Sequence, residues 1–226
     1  METTQTKNNL PFILLIANNL LPVLGVIFLG WSAFEILVLY WVESLISCVF
    51  VFIRIGKMMI YKVSIKAESL NSDKQTGFIL PIAMFIIAYS AFLVAQYIAI
   101  LIIAAFSEEL SSGDIRKGFL EPLWRDPELG IAILSTLITY VVIYRREFIK
   151  KERYKTGDAK DQITNPVKEI IIIQITVLAG GFISILISRF ISFDVFVFKG
   201  IMIGSLLLLK NLADIGLYRK RNLVKI

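Results

Sequence analysis

Six long apolar stretches dominate this chain, at about residues 10–29, 32–53, 78–106, 129–144, 167–190 and 195–217. A helix needs about 20 mostly apolar residues to cross a bilayer core about 30 Å thick, and each stretch is near that length. The fourth is short and the third long; Arg145 and Arg146 can snorkel from the end of the fourth, and the third can tilt. With 57% hydrophobic residues and a mean hydropathy of +0.74, a chain of 226 residues has more apolar surface than a water-soluble core of that size can hide. The expectation is therefore all-α: a polytopic membrane helix bundle of six transmembrane helices, forming one domain over residues 1–226. The polar start runs into the first apolar stretch without a small-residue cleavage site, so the first span is expected to be retained.

The basic residues supply an orientation. Of 24 Lys and Arg, one lies in the N-terminal tail, five between Arg54 and Lys74, eight between Arg145 and Lys168 and four between Arg219 and Lys225. These alternate segments fall on one side of six spans, and the positive-inside rule makes that side, with both termini, cytoplasmic in a cell membrane. The opposite loop from Ser107 to Glu128 carries six acids against three bases, and the spacing of Phe119, Leu120, Leu123 and Trp124 fits a short interfacial helix. The Arg145 to Lys160 segment is expected to prolong the fourth helix into the cytoplasm. Asp126-Pro127 and Asn165-Pro166 each place a capping oxygen before a proline, as at helix starts.

Composition also excludes chemistry. With no histidine there is no imidazole base, no Ser/His or Cys/His pair and no usual catalytic zinc site. Cys48 is alone, which rules out an internal disulfide or a cysteine cluster and leaves a small core residue. No cofactor or metal is expected. The net charge of +6 is explained by topology, so nucleic acid is not expected as a partner. The expected partners are the lipid bilayer, other membrane proteins and further copies of the chain.

Polar residues inside the spans carry what remains. An ionisable side chain at mid-bilayer costs roughly 2.5 kcal/mol or more, so it normally faces protein or water and has a partner. Glu43 lies in the second span in a stripe with Tyr40, Ser44 and Ser47. A tight turn near Gly30 and Trp31 would put Glu43 level with Asn19. Pro22 has no N–H, so the Asn18 carbonyl loses its helical partner and a kink is expected beside Asn18 and Asn19. Depth counting adds Gln96, with Tyr89 one heptad earlier. Asn18, Asn19, Tyr40, Glu43 and Gln96 are thus the candidate intramembrane polar site, either a cation or proton site or a set of interhelical hydrogen bonds.

A second group lies on the sixth span. Pairing the fifth and sixth spans about a turn near Ile191 brings Lys210 within reach of Glu169, and Asp214 level with Lys168, as ion pairs at the cytoplasmic end. Gly180 and Gly181 allow another helix to approach the fifth span closely.

The stretches LPVLGVIFLGWSAFEILVLYWVESLI (21–46), ITVLAGGFI (175–183) and LKNLADIGLY (209–218) resemble a prokaryotic family of multi-helix membrane proteins classed as a domain of unknown function, over about Leu10 to Tyr218. The resemblance implies a Tyr-Trp-x-Glu signature, matched by Tyr40, Trp41 and Glu43, and a Lys-x-x-x-Asp pair, matched by Lys210 and Asp214. It also implies membrane histidines at positions that are Ala88, Gln96, Tyr140, Gln174 and Tyr218 here, so a histidine-based metal or cofactor site of the relatives is not available to this chain.

Three functions are open to such a chain. The leading one is a non-catalytic membrane subunit or scaffold that binds partner proteins or lipids. The second is a small transporter or ion or proton pathway centred on Glu43, suggested by an irregular first helix. The third is a lipid- or peptide-modifying membrane enzyme, for which no motif has the required spacing: Glu108-Glu109 with Arg116 lacks companion histidines, and Asp194 and Asp214 lie at opposite ends of one helix.

Overall fold

A computed structural model of the chain describes residues 10–68, 79–106, 123, 125–156, 204, 208, 210, 212 and 216. Four helices make up the described bundle: α1 (Leu10–Leu29), α2 (Ala33–Glu68), α3 (Ile79–Phe106) and α4 (Pro127–Ile143). A π-helical turn, Tyr144–Ile149, prolongs α4 and leads to the short α5 (Arg153–Thr156). Gly204, Leu208, Lys210, Leu212 and Gly216, in the expected sixth span, are helical. There is no strand among the described residues. The expected fifth span and the proposed interfacial helix lie outside them, save that Leu123 is helical.

Local chemistry explains the boundaries. α1 ends at Gly30, whose φ of 69° is the left-handed conformation glycine adopts freely at a helix C-terminus. The chain then folds back so that the Trp31 N–H donates to the Gly25 carbonyl at 3.1 Å. The Trp31 indole lies against Gly25 where a Cβ would otherwise stand, so only glycine allows the turn to close this tightly. α2 starts with a capping box: the Ser32 N–H donates to Glu35 Oε2 at 2.6 Å and the Glu35 N–H to Ser32 Oγ at 3.2 Å. α4 starts at Pro127 with Asp126 as N-cap, but the Asp126 carboxylate does not cap; it accepts hydrogen bonds from Arg125 instead.

Two expected boundaries need correction. α2 does not stop at Ile53 but runs to Glu68, because nothing in residues 54–68 breaks it: there is no proline, and most residues are good helix formers. The segment after α4 is not one continued helix. The Lys150 N–H donates to the Arg145 carbonyl five residues back (2.9 Å), and Glu152 at φ 49° separates the π turn from α5. The wider turn carries Phe148 inward onto Met58, and no glycine or proline marks the break.

α2 is the central helix. Its residues Glu35 to Tyr40 are buried in succession, as expected for a helix enclosed on all sides. Trp31 and Leu39 pack with Leu129 and Ala132 of α4 at the turn end of the bundle. Val51 and Ile55 pack with Phe85 and Tyr89 of α3, and the half-buried Cys48 packs against this cluster. The exterior is strongly apolar: Phe28 is 75% exposed and Ile87 70%, while Asn18, Asn19, Ser44, Gln96, Thr136 and Lys210 are buried. Polar inside and apolar outside is the arrangement a bilayer selects. α1, the Phe34–Tyr61 part of α2, the Phe85–Ile102 part of α3, and α4 with its π turn are each long and apolar enough to cross a membrane. The chain is a membrane protein.

Candidate functional site

The second span carries a cluster of polar and aromatic residues at helical spacing, and each takes a different partner. Tyr40, Trp41, Glu43 and Ser44 occupy little more than one turn of α2 and therefore point in several directions. Trp41 Nε1 donates to the Leu93 carbonyl of α3 at 3.2 Å, and its ring lies 6.3 Å from that of Tyr97. Ser44 Oγ donates back to the Tyr40 carbonyl at 2.9 Å, while the Ser44 carbonyl accepts a 2.6 Å hydrogen bond from the Tyr89 hydroxyl. These contacts set the register of α2 against α3.

Glu43 turns to another helix. Its Oε2 lies 2.6 Å from Lys210 Nζ, which also donates to Asn19 Oδ1 at 3.1 Å and sits 4.6 Å from the centre of the Tyr40 ring. Lys210 is 2% exposed. A carboxylate, an amide oxygen and an aromatic face thus surround one ammonium, and the pair carries no net charge. Either ion alone would be strongly disfavoured here, since removing one partner of a buried pair leaves the other uncompensated. The Tyr40 face adds a cation–π attraction that grows as water is excluded. One ammonium ties together α1, α2 and the segment that bears Lys210.

The neighbouring asparagine has a separate role. Thr136 Oγ1 of α4 lies 3.0 Å from Asn18 Oδ1 and an equal 3.0 Å from the Ala132 carbonyl in its own helix. Asn18 and Asn19, adjacent in sequence, therefore bind α1 to two different partners. α1 itself runs through the buried Pro22 as one continuous helix, so the proline expected to kink the span does not divide it. In apolar surroundings a proline-containing helix stays continuous because the backbone groups it frees find partners nearby.

Of the five residues read as one polar site, the structure joins Asn19, Tyr40 and Glu43 around Lys210. Asn18 is engaged by Thr136. Gln96 is 1% exposed and makes no hydrogen bond to the others, and its Oε1 is buried without a partner. Lys210, read from the sequence as a cytoplasmic-end residue within reach of Glu169, makes its described contacts with Glu43, Asn19 and Tyr40. Lys168, Glu169 and Asp214 lie outside the described residues, as do Gln174 and Tyr218. Among the other positions where the resemblance implies histidine, Ala88 is exposed and Tyr140 packs its ring 5.7 Å from Phe50.

Sequence reading missed a second polar cluster. At the turn end, Glu35 completes the capping box with one oxygen and accepts Arg125 with the other at 3.1 Å. The Ser-x-x-Glu pattern at residues 32–35 was the available signal. Arg125 carries that contact across to the start of α4, closing the bundle between two helix N-termini.

A model for a family of unknown function, DUF6498, matches residues 1–225. The match spans nearly the whole chain, and the chain belongs to that family. No curated protein and no solved structure matches it.

Proposed function

We propose that this family member is an integral protein of the cell membrane with six spans and cytoplasmic termini, acting as a non-catalytic membrane subunit or scaffold that binds partner proteins or lipids. The orientation is supported by the excess of Lys and Arg in alternate connecting segments. The observation that carries the functional reading is the closed state of the central site: Lys210, 2% exposed, is held 2.6 Å from Glu43. A carboxylate already occupied by an internal ammonium is a poor receptor for a passing cation and offers no free base. Its evident effect is to lock three helical segments together. Lipid or protein contact is supported by the apolar exterior, with Ile27, Phe28, Ile60, Ile87 and Ile131 facing outward.

A second reading, passage of a proton or cation past Glu43, is favoured by one observation. Gln96 Oε1 is buried and has no donor, on the α3 face that also carries Tyr89. Three variants separate the two readings: Glu43→Gln, Lys210→Met and the double variant. The scaffold reading expects each single variant to lose folded protein, and the double to recover both folding and stoichiometric co-purification of partners from native membranes. A double variant that folds normally but has lost an ion flux present in wild-type proteoliposomes would overturn it.

A further inference from the structure

The end of the bundle opposite the Gly30 turn has a composition unlike the rest. Counting about 20 residues of span from the capped start of α2 reaches Phe52, and the same count from Pro127 reaches Arg146. Arg54 and Lys57 on α2, and Arg145, Arg146 and Lys150 around the π turn, therefore lie at headgroup depth. The two elements meet there: Met58 packs with Phe148, and the Tyr61 and Tyr154 rings stand edge to face at 5.3 Å.

Among the described residues at this level, bases outnumber the carboxylates that pair with them. Glu147 is taken by Lys151 (2.6 Å) and Arg153 (3.3 Å), and Glu152 by Lys155 (2.7 Å). Lys57, Arg145, Arg146 and Lys150 have no carboxylate at pairing distance among the described residues. Lys57 lies 5.5 Å from the centre of the Tyr154 ring and Arg54 lies 6.0 Å from that of Phe148, so aromatic faces hold two of the cations at this level. The π turn adds a specific arrangement. Arg145 and Lys150 are joined by its five-residue hydrogen bond and stand one turn apart, both exposed. Lys57, Arg145, Arg146 and Lys150, without a carboxylate partner among the described residues and with Lys57 beside an aromatic ring, match at this depth an anionic headgroup with its acyl chains against the exposed Ile60 and neighbouring apolar surface.

We infer that Lys57, Arg145, Arg146 and Lys150 form a binding site for the phosphate of an anionic phospholipid, where α2 crosses the π turn after α4. The inference deepens the scaffold reading by naming a lipid class, and it rests on the helices being membrane spans. A soluble phosphate is not favoured, because the bases lie where the membrane's own phosphates are concentrated.

The test uses the full chain in nanodiscs of phosphatidylcholine with and without phosphatidylglycerol, read by native mass spectrometry of retained lipid and by thermal unfolding. Wild type should retain phosphatidylglycerol preferentially and unfold at a higher temperature in its presence. The variant Lys57→Gln/Arg145→Gln/Arg146→Gln/Lys150→Gln should lose at least roughly tenfold in preference, on a scale of about fivefold per basic residue. A control removing paired bases, Lys151→Gln/Lys155→Gln, should keep it. If the fourfold variant does not fold, the Arg145→Gln/Lys150→Gln pair and its Arg145→Lys counterpart carry the same comparison. An unchanged preference in the folded variant, or displacement of the lipid by free glycerol phosphate, overturns the site while leaving the scaffold reading standing. Failure of wild type to enter nanodiscs would overturn both.

Discussion

Two ion pairs in this protein have the same length and different physics. Lys210 to Glu43 and Lys151 to Glu147 both measure 2.6 Å, yet the side chains are 3% and 13% exposed in the first and 46% and 17% in the second. The first sits among apolar helices, where each ion depends on the other. The second stands in water or among headgroups, where solvent and salt replace either partner at little loss. Distance alone does not rank an ion pair; the medium around it does.

Five substitutions test that contrast. The largest effect is expected for Glu43→Gln or Lys210→Met alone, each destabilising by about 3–5 kcal/mol because an uncompensated ion stays buried. The double variant should recover most of the loss, as measured by unfolding in detergent. If the single variants lose less than about 1 kcal/mol, the pair is wetter than its geometry indicates and the contrast fails.

Ser32→Ala removes half of the capping box and should cost about 1 kcal/mol. It should also loosen Glu35, and with it the Arg125 bridge, which hydrogen exchange at the start of α2 would detect. A loss of about 1 kcal/mol is likewise expected for Thr136→Val, which leaves Asn18 Oδ1 without its hydroxyl. No change there would mean that the amide finds another donor within α1. Smallest is Lys151→Ala, at about 0.5 kcal/mol or less. Its effect should fade as salt is raised, whereas the penalty for breaking the Glu43 pair should be nearly independent of salt.

The residues differ in how readable they were beforehand. The turn at Gly30 and the proline start of α4 follow from local rules, and both occur in the structure. Glu35 was legible too, since Ser-x-x-Glu is a local pattern, but it lay inside an apolar stretch where attention goes to hydropathy. Hydropathy does not mark the end of α2 at Glu68, because apolarity ends where the lipid ends, whereas a helix ends only where the backbone is interrupted. The break at Glu152 had no residue signal at all; it follows from how the π turn seats Phe148 on Met58. Pro22 removes one helical hydrogen bond from α1, yet the helix continues through it, because a single lost bond does not decide continuity in packed surroundings.

Sequence by itself determined that this chain is a helical membrane protein, where four of its long helices lie, and that Asn19, Tyr40, Glu43 and Lys210 sit within apolar segments. Length, hydropathy and capping are properties of contiguous residues, so no knowledge of neighbours is required. Only the tertiary structure decided that Lys210 meets Glu43 and Asn19. Counting residues from a turn gives depth along one hairpin, but says nothing of which helices stand side by side or how each is rotated. A partner 167 positions away is chosen by packing in the plane of the membrane, a coordinate that linear order does not contain.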